Sequence, residues 1–510
     1  MRAHIANTPH NSAGDATPAA APGLAASVFA LFILSHQYED MSELDTYDHA
    51  DSHPALYEQV SGRLALWFKV IAVTTVTLVA FEALAVSTAM PYVVSALKGE
   101  QFYALAAGIP MATQLVTTAL AGPWCDAKGP KPVLYIGSST FTAGLIVATF
   151  APDIYWLIVG RAIQGVGAGL LVVPLYVMIG AFIKPSKQPA FFAALSMAWI
   201  MPSLVGPSLA GLLVEYIHWR AVFAICPILF IIIAPLAAQR IRQFPDIHAV
   251  KALHLGSKLW VSALVSGAVI SVLQVLSGID PAQAGFLVFA VTLGLSAVLF
   301  FSSRALLPRG TFMVRRGVPA TVVLRILLNG TLTATELYLL LMLKNVHHWG
   351  PTKAGLILTI SSVMWAVGAW IQGKITDPHR RAALFIVGPI LQFLGMVTTL
   401  IALIPGCSAW FVFLGWLISG LGLGLAFPAA AVHALALTPS ERHGEVSSAL
   451  SVADTLGAAL FVAYGGIIFA LTYSLGSGAF AATIIFQCVL AAFGIWVGTR
   501  TQPAASAKLR

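Results

Sequence analysis

Gly122-Pro-Trp-Cys-Asp126-Ala-Lys128-Gly129-Pro-Lys131 separates two apolar runs, 102–122 and 132–151. Each run is about twenty residues long, and a helix rising about 1.5 Å per residue needs that length to cross a hydrocarbon core of roughly 30 Å. Lipid offers the backbone no hydrogen bonds, so such a run spans as a helix. Two runs joined by a short loop carrying two lysines therefore read as a membrane hairpin, and the same grammar recurs along the chain. Fourteen runs are expected to span: 66–94, 102–122, 132–151, 155–182, 190–214, 219–238, 259–278, 284–303, 318–343, 353–375, 382–404, 408–437, 446–471 and 476–498. The composition agrees, since 58% of the 510 residues are hydrophobic and 9% charged, against roughly a quarter charged in an ordinary soluble protein. A water-soluble chain is excluded, and the expected class is an all-α polytopic membrane protein.

The formal net charge of +8 needs no nucleic-acid partner, because the basic residues are explained by topology. Lys and Arg accumulate in cytoplasmic loops. Of the 28, 21 fall on the side of both termini, while Lys98, Arg220, Lys344 and Lys353 fall on the other. Lys69, Arg161 and Arg325 lie inside spans. Both termini are thus expected in the cytoplasm. Cys125, Cys226, Cys407 and Cys488 are far apart, with no spacing that suggests a disulfide framework or a metal site.

Residues 1–63 form a separate segment, with eight of the twenty acidic residues, seven of them between Glu39 and Glu58. Its apolar patch, Leu24 to Leu34, would reach only about 16 Å as a helix, too short to span. The segment reads as a disordered acidic cytoplasmic tail, and Met41 offers an alternative start. The remaining divisions expected are a six-helix bundle at 64–240, two inserted helices at 258–303, a second bundle at 317–498 and a cytoplasmic tail at 499–510.

An internal repeat supports that division. Phe192-Ala-Ala-Leu-Ser196 corresponds to Ser447-Ser-Ala-Leu-Ser451 at an offset of 255, and Gly165, Gly167 and Gly169 to Gly420, Gly422 and Gly424 at the same offset. Gly122 to Asp126 matches Gly373 to Asp377 at 251. Spans 1–6 therefore correspond to spans 9–14, leaving spans 7 and 8 as an insertion; repeated bundles are a common transporter plan.

These residues carry a resemblance to the major facilitator superfamily, and within it to the fourteen-span drug:proton antiporter branch of actinobacterial type. The Gly122–Lys131 loop resembles G-x-L-A-D-R-x-G-R-K of the superfamily, with Ala127 and Pro130 replacing basic positions. Arg161-Ala-Ile-Gln164-Gly165-Val-Gly167-Ala-Gly169 resembles its span 4 motif, and Gly206-Pro207-Ser-Leu-Ala210-Gly211 its antiporter motif of span 5, with Ala210 for a glycine. Glu82 to Pro91 resembles the span 1 motif, with glutamate where the family usually has aspartate. The resemblance implies alternating access, with Gly122, Asp126, Lys128, Gly129 and Lys131 as a cytoplasmic gate. Set beside it are plainer readings: the loop as a topology signal alone, the span 4 glycines as ordinary packing and Gly206-Pro207 as a passive bend.

Ionisable side chains at membrane depth are costly and default to functional candidates. Glu82 in span 1 and Glu336 in span 9 stand 254 residues apart, the repeat offset, and the others are Arg161, Arg325 and Asp454. Arg161 is the expected partner of Glu82, Arg325 shares a helix face with Glu336 eleven residues on, and structural pairing between helices is the competing reading. Glu215 and Arg220 read as a surface pair. Gly368-Ala-Trp-Ile-Gln-Gly373-Lys374-Ile375 lacks the Ser or Thr of a phosphate loop and follows no strand, His347-His348 is a lone pair, and Asn329-Gly-Thr331 lies inside a span.

The function expected is export of small amphipathic or drug-like compounds across the cytoplasmic membrane in exchange for protons, by a monomer without cofactor or metal. A symporter or facilitator for a polar metabolite would be expected to carry more mid-span Asn and Gln than Gln114, Gln164, Asn329, Gln372, Gln392 and Gln487. A membrane enzyme or receptor would need a catalytic cluster or soluble domain that the sequence does not offer.

Overall fold

The computed structural model describes residues 56–246, 258–279, 281–375, 377–439 and 443–502. The acidic segment before residue 56, Lys251, Arg442 and the last eight residues lie outside it. Among the described residues there is no strand, and fourteen helical segments are long and apolar enough to span a membrane.

In chain order the helices are α1 (Gly62–Ala96), α2 (Tyr103–Lys128), α3 (Pro130–Thr149), α4 (Ile154–Gly169), α5 (Val172–Phe182), α6 (Gln188–Tyr216) and α7 (Trp219–Ile241). The insertion supplies α8 (Lys258–Leu276) and α9 (Pro281–Ser303). There follow α10 (Val318–Asn345), α11 (Pro351–Gly373), α12 (Pro378–Leu400), α13 (Trp410–Ala436), α14 (His443–Leu471) and α15 (Ser477–Gly498). Helices α1–α7 pack among themselves and α10–α15 among themselves, and the two groups meet along α6 against α11 and α2 against α14.

The fourth span differs from the single run expected: it breaks at Leu170-Leu171, where Leu170 N bonds Gly167 O and Leu171 N bonds Ala168 O in tight turns. Three glycines within five residues weaken the helix there, since each costs about 1 kcal/mol relative to alanine. Their presence has a packing cause. A Cβ on Gly165 would strike Pro110 O of α2, and one on Gly167 the backbone of Phe141 in α3. The second bundle repeats the device in α13, with Gly420 against Ser361 O of α11 and Gly422 against Gly388 O of α12. In lipid, where apolar surface alone does not drive helices together, such close approach supplies much of the packing energy.

Helix α8 lies in the α2–α14 seam. Gly267 abuts Val116 and Ala112 O of α2, Gln274 Nε2 donates to Ala459 O of α14 at 3.4 Å, and a Cβ on Gly466 of α14 would meet Ser277 just beyond α8. Helix α9 packs on α8, pinned by Ser266 and Ser302 hydroxyls 2.8 Å apart.

Candidate functional site

The bundles are sealed together at one end, the end bearing Lys98, Arg220, Lys344 and Lys353. Tyr92 Oη donates to Trp349 O at 2.8 Å, Lys344 Nζ to Pro91 O at 2.9 Å and Tyr103 Oη to Leu337 O at 2.7 Å. Thr352 N donates to Glu215 Oε2 at 3.3 Å. The Gly206-Pro207 motif belongs to this seam: Pro207 O occupies the place a Cβ on Gly355 would need, and Gly211 lies against Pro351 O. Gly206 itself is not tightly enclosed, its nearest neighbour for a Cβ being the Phe81 ring at 3.5 Å.

Below this seal lies a small cleft whose lining includes Ala83, Ser87, Met111, Arg161, Thr333 and Leu337. On its first-bundle side the Arg161 guanidinium donates through Nη1 to Glu82 Oε1 and to Gln164 Oε1, both at 2.6 Å, and through Nε to Ala106 O at 3.4 Å. The Glu82 side chain is 4% exposed. Charge-assisted bonds of this kind are among the stronger polar contacts in a protein. Arg161 sits on α4 opposite Glu82 of α1, as the sequence led us to expect.

Glu336 has a different environment. Its Oε1 accepts from Ser87 Oγ of the opposite bundle at 2.9 Å, and no ion pair reaches it among the described residues. The repeat explains the asymmetry: at the offset of 255, the counterpart of Arg161 is Trp416. Glu82 has a guanidinium across from it, and the position that corresponds to Arg161 in the second bundle carries no charge.

The second buried pair lies lower, toward the end rich in basic residues. Arg325 of α10 grips Asp454 of α14 with two nitrogens, Nε at 2.9 Å and Nη2 more closely. Its guanidinium lies 3.8 Å from the Phe427 ring centroid, an added cation–π attraction. Asn329 Nδ2 donates to Asp454 O at 2.9 Å, so the glycosylation-like triplet is part of a helix contact. Arg325 and Glu336 share α10 but hold different partners on different helices.

The loop motif divides. Gly129 has φ +77°, a left-handed conformation that glycine adopts freely, and it turns the chain from α2 into α3. Lys131 Nζ donates to Phe244 O at 2.5 Å and to Asp246 Oδ1 at 2.8 Å, tying α3 to the segment after α7. Asp126 is exposed, forms no ion pair among the described residues, and lies in the last turn of α2. Lys128 is exposed, and a Cβ on Gly122 would meet nothing within 4 Å. The repeat counterpart Asp377 behaves otherwise, capping α12 by accepting from His379 N. The surface pair expected between Glu215 and Arg220 does not form: Arg220 Nη2 donates to Ala151 O at 2.8 Å while its guanidinium stacks on Trp219.

Sequence reasoning missed Ser87, Tyr92 and Tyr103 as inter-bundle donors. One signal was present, since Pro91 and Lys344 are 253 residues apart, close to the repeat offset, and so fall at matching depth.

A fold of two packed helical bundles meeting at a central cleft with buried ion pairs defines a membrane transporter. The chain belongs to the Major Facilitator Superfamily, whose family model matches residues 72–460. It is similar to MFS transporter L2 of a Phoma species, 26% identical over 417 residues, covering 77% of this chain and 68% of that one. It is also similar to Efflux pump aflT of Aspergillus parasiticus, 25% identical, covering 66% of this chain and 68% of that one. In fold it matches a peptide transporter POT crystallised in complex with sulfate, with a TM-score of 0.60 at 15% identity, covering 85% of this chain and 96% of that one.

Proposed function

We propose that this transporter exports small amphipathic or drug-like compounds across the cytoplasmic membrane in exchange for protons, as a monomer and as a member of the fourteen-span antiporter branch. The observation that carries the reading is the arrangement of three carboxyl groups at membrane depth. Glu82 and Asp454 are each compensated by an arginine, while among the described residues Glu336 has only the Ser87 hydroxyl of the opposing bundle. A carboxyl that faces one side of the membrane and then the other takes up a proton from the water on one side and releases it to the water on the other, because burial and nearby cations pull its ionisation in opposite directions. Proton and compound then displace one another at Glu82, with Arg161 tuning it, and Glu336 and Asp454 supply further carboxyls that take up a second proton or attract a cationic group on the compound. The similarity to an efflux pump supports the direction of transport.

The positive-inside rule supports a cytoplasmic location for both termini. The sealed end then faces outward, and the bundle arrangement is an inward-facing one. Residues 64–240 and 317–498 are the two moving bodies, with 258–303 between them. An exposed carboxylate in the last turn of α2 opposes the helix dipole, which supports a gating role for Asp126 when the cytoplasmic ends close.

The test is transport into inside-out vesicles of a panel of lipophilic cationic dyes. Accumulation that collapses when the proton gradient is dissipated supports antiport. Dye and protons moving in the same direction would instead establish the symport reading.

A further inference from the structure

We propose that the cleft between the feet of α8 and α9 binds the phosphate headgroup of an anionic phospholipid. Lys258 opens α8 and Arg304 directly follows the end of α9, so these antiparallel neighbours bring two cations to the same end of the molecule. Lys258, Ser262 and Arg304 line the cleft together with Val261, Phe301 and Ala305. No carboxylate is among them, and neither cation forms an ion pair among the described residues.

The site is built. The Ser266–Ser302 contact at 2.8 Å fixes the separation of its walls. The Arg304 guanidinium is held 5.2 Å from the Phe300 ring and 6.0 Å from that of Phe301, which reduces the rotamer freedom lost on binding. Phosphate oxygens can accept from Lys258 Nζ, Arg304 and Ser262 Oγ, the donor set that gives strong charge-assisted bonds.

The walls decide the class of ligand. Val261 is 53% and Phe301 65% exposed, and Leu264, one turn deeper on α8, is 51% exposed. These residues face the space that lipid tails occupy, so the occupant carries its phosphate on a hydrocarbon body. Exposed Arg309, Arg315 and Arg316 follow on the same end and keep the local potential positive. The lipid would sit at the foot of α8, the helix that touches both bundles.

The experiment measures phosphatidylglycerol and phosphatidylcholine retained by the purified full-length chain, by native mass spectrometry across a lipid titration. The wild-type chain should retain phosphatidylglycerol selectively. Lys258→Ala with Arg304→Ala should weaken this retention about thirtyfold, each cation contributing about fivefold. Lys258→Arg with Arg304→Lys should keep it, and Arg315→Ala with Arg316→Ala should change it by less than about threefold. Unchanged retention in the alanine pair, or an equal loss in the Arg315/Arg316 pair, overturns the site. Inorganic phosphate displacing the lipid at matched concentration does so as well, since free phosphate would then be the ligand. A photoactivatable phosphatidylglycerol on the wild-type chain removes dependence on variant folding: labels should map to residues 258–262 and 301–305, and labels confined elsewhere overturn it.

Discussion

Glu82→Gln and Glu82→Ala should separate the structural from the transport role of the buried pair. In the wild-type chain the Arg161 guanidinium has three acceptors, Glu82 Oε1, Gln164 Oε1 and Ala106 O. Glutamine removes the counter-charge as alanine does, but keeps an amide oxygen that still accepts from the guanidinium, so it should retain about 1 kcal/mol of hydrogen bonding that alanine loses. Alanine leaves the guanidinium without its counter-charge at a site where Arg161 is 6% exposed, and breaking such a pair costs about 3–5 kcal/mol. Unfolding of purified protein by denaturant should therefore rank wild type above Glu82→Gln above Glu82→Ala. In proteoliposomes Glu82→Gln should still bind a dye and exchange it between the two sides, but should no longer accumulate it against a gradient. Equal stability of the two variants would refute the energetic reasoning. Proton-driven accumulation in Glu82→Gln, with the original pH dependence, would refute the coupling role.

Gly165→Ala should destabilise the fold by about 1–3 kcal/mol through its collision with Pro110 O, whereas Gly122→Ala should be silent; expression level and thermal unfolding distinguish them. Tyr92→Phe with Lys344→Met removes two inter-bundle bonds of about 1 kcal/mol each and should shift the populations roughly thirtyfold toward opening of the sealed end, read as a longer distance between spin labels at positions 98 and 473. Asp126→Asn should lower turnover more than dye affinity, and an unaltered rate in a normally expressed variant would count against a gate there. Cysteines replacing Lys98 and Lys353, both exposed, should react with an impermeant reagent added outside intact cells and not with one confined to the cytoplasm.

The spans were legible because a bilayer imposes one length and one polarity on every crossing, and the repeat was legible because small residues at fixed spacing leave a countable trace. The Glu82–Arg161 contact could be anticipated, since two opposite charges at one depth in one bundle have few other partners. Arg325–Asp454 was less legible, because Arg325 also shares a face of its own helix with Glu336 eleven residues on, so its charge had two candidate partners. Ser87 was invisible for another reason: a serine or threonine hydroxyl on an apolar helix more often bonds its own backbone, as Thr88 Oγ1 does to Leu84 O at 3.1 Å, while the hydroxyls of Tyr92 and Tyr103 reach past their own helix to partners that sequence does not name. Only the register between bundles tells which hydroxyls cross. Asp126 and Asp377 show the converse, equal motifs ending in unequal positions because α2 extends through Lys128 while α11 stops at Gly373.

Placing α8 across only one seam removes an equivalence that the repeat would otherwise create. Two halves related by a pseudo-twofold axis present two flanks to the bilayer, and without the insertion a molecule dissolved in lipid would find them alike. Here one flank is shuttered: α8 occupies the groove between α2 and α14, with α9 outside it. On the other, α6 and α11 meet each other directly. Any lateral doorway from the bilayer into the cleft is thereby confined to that flank, so the protein has a front and a back within the membrane plane.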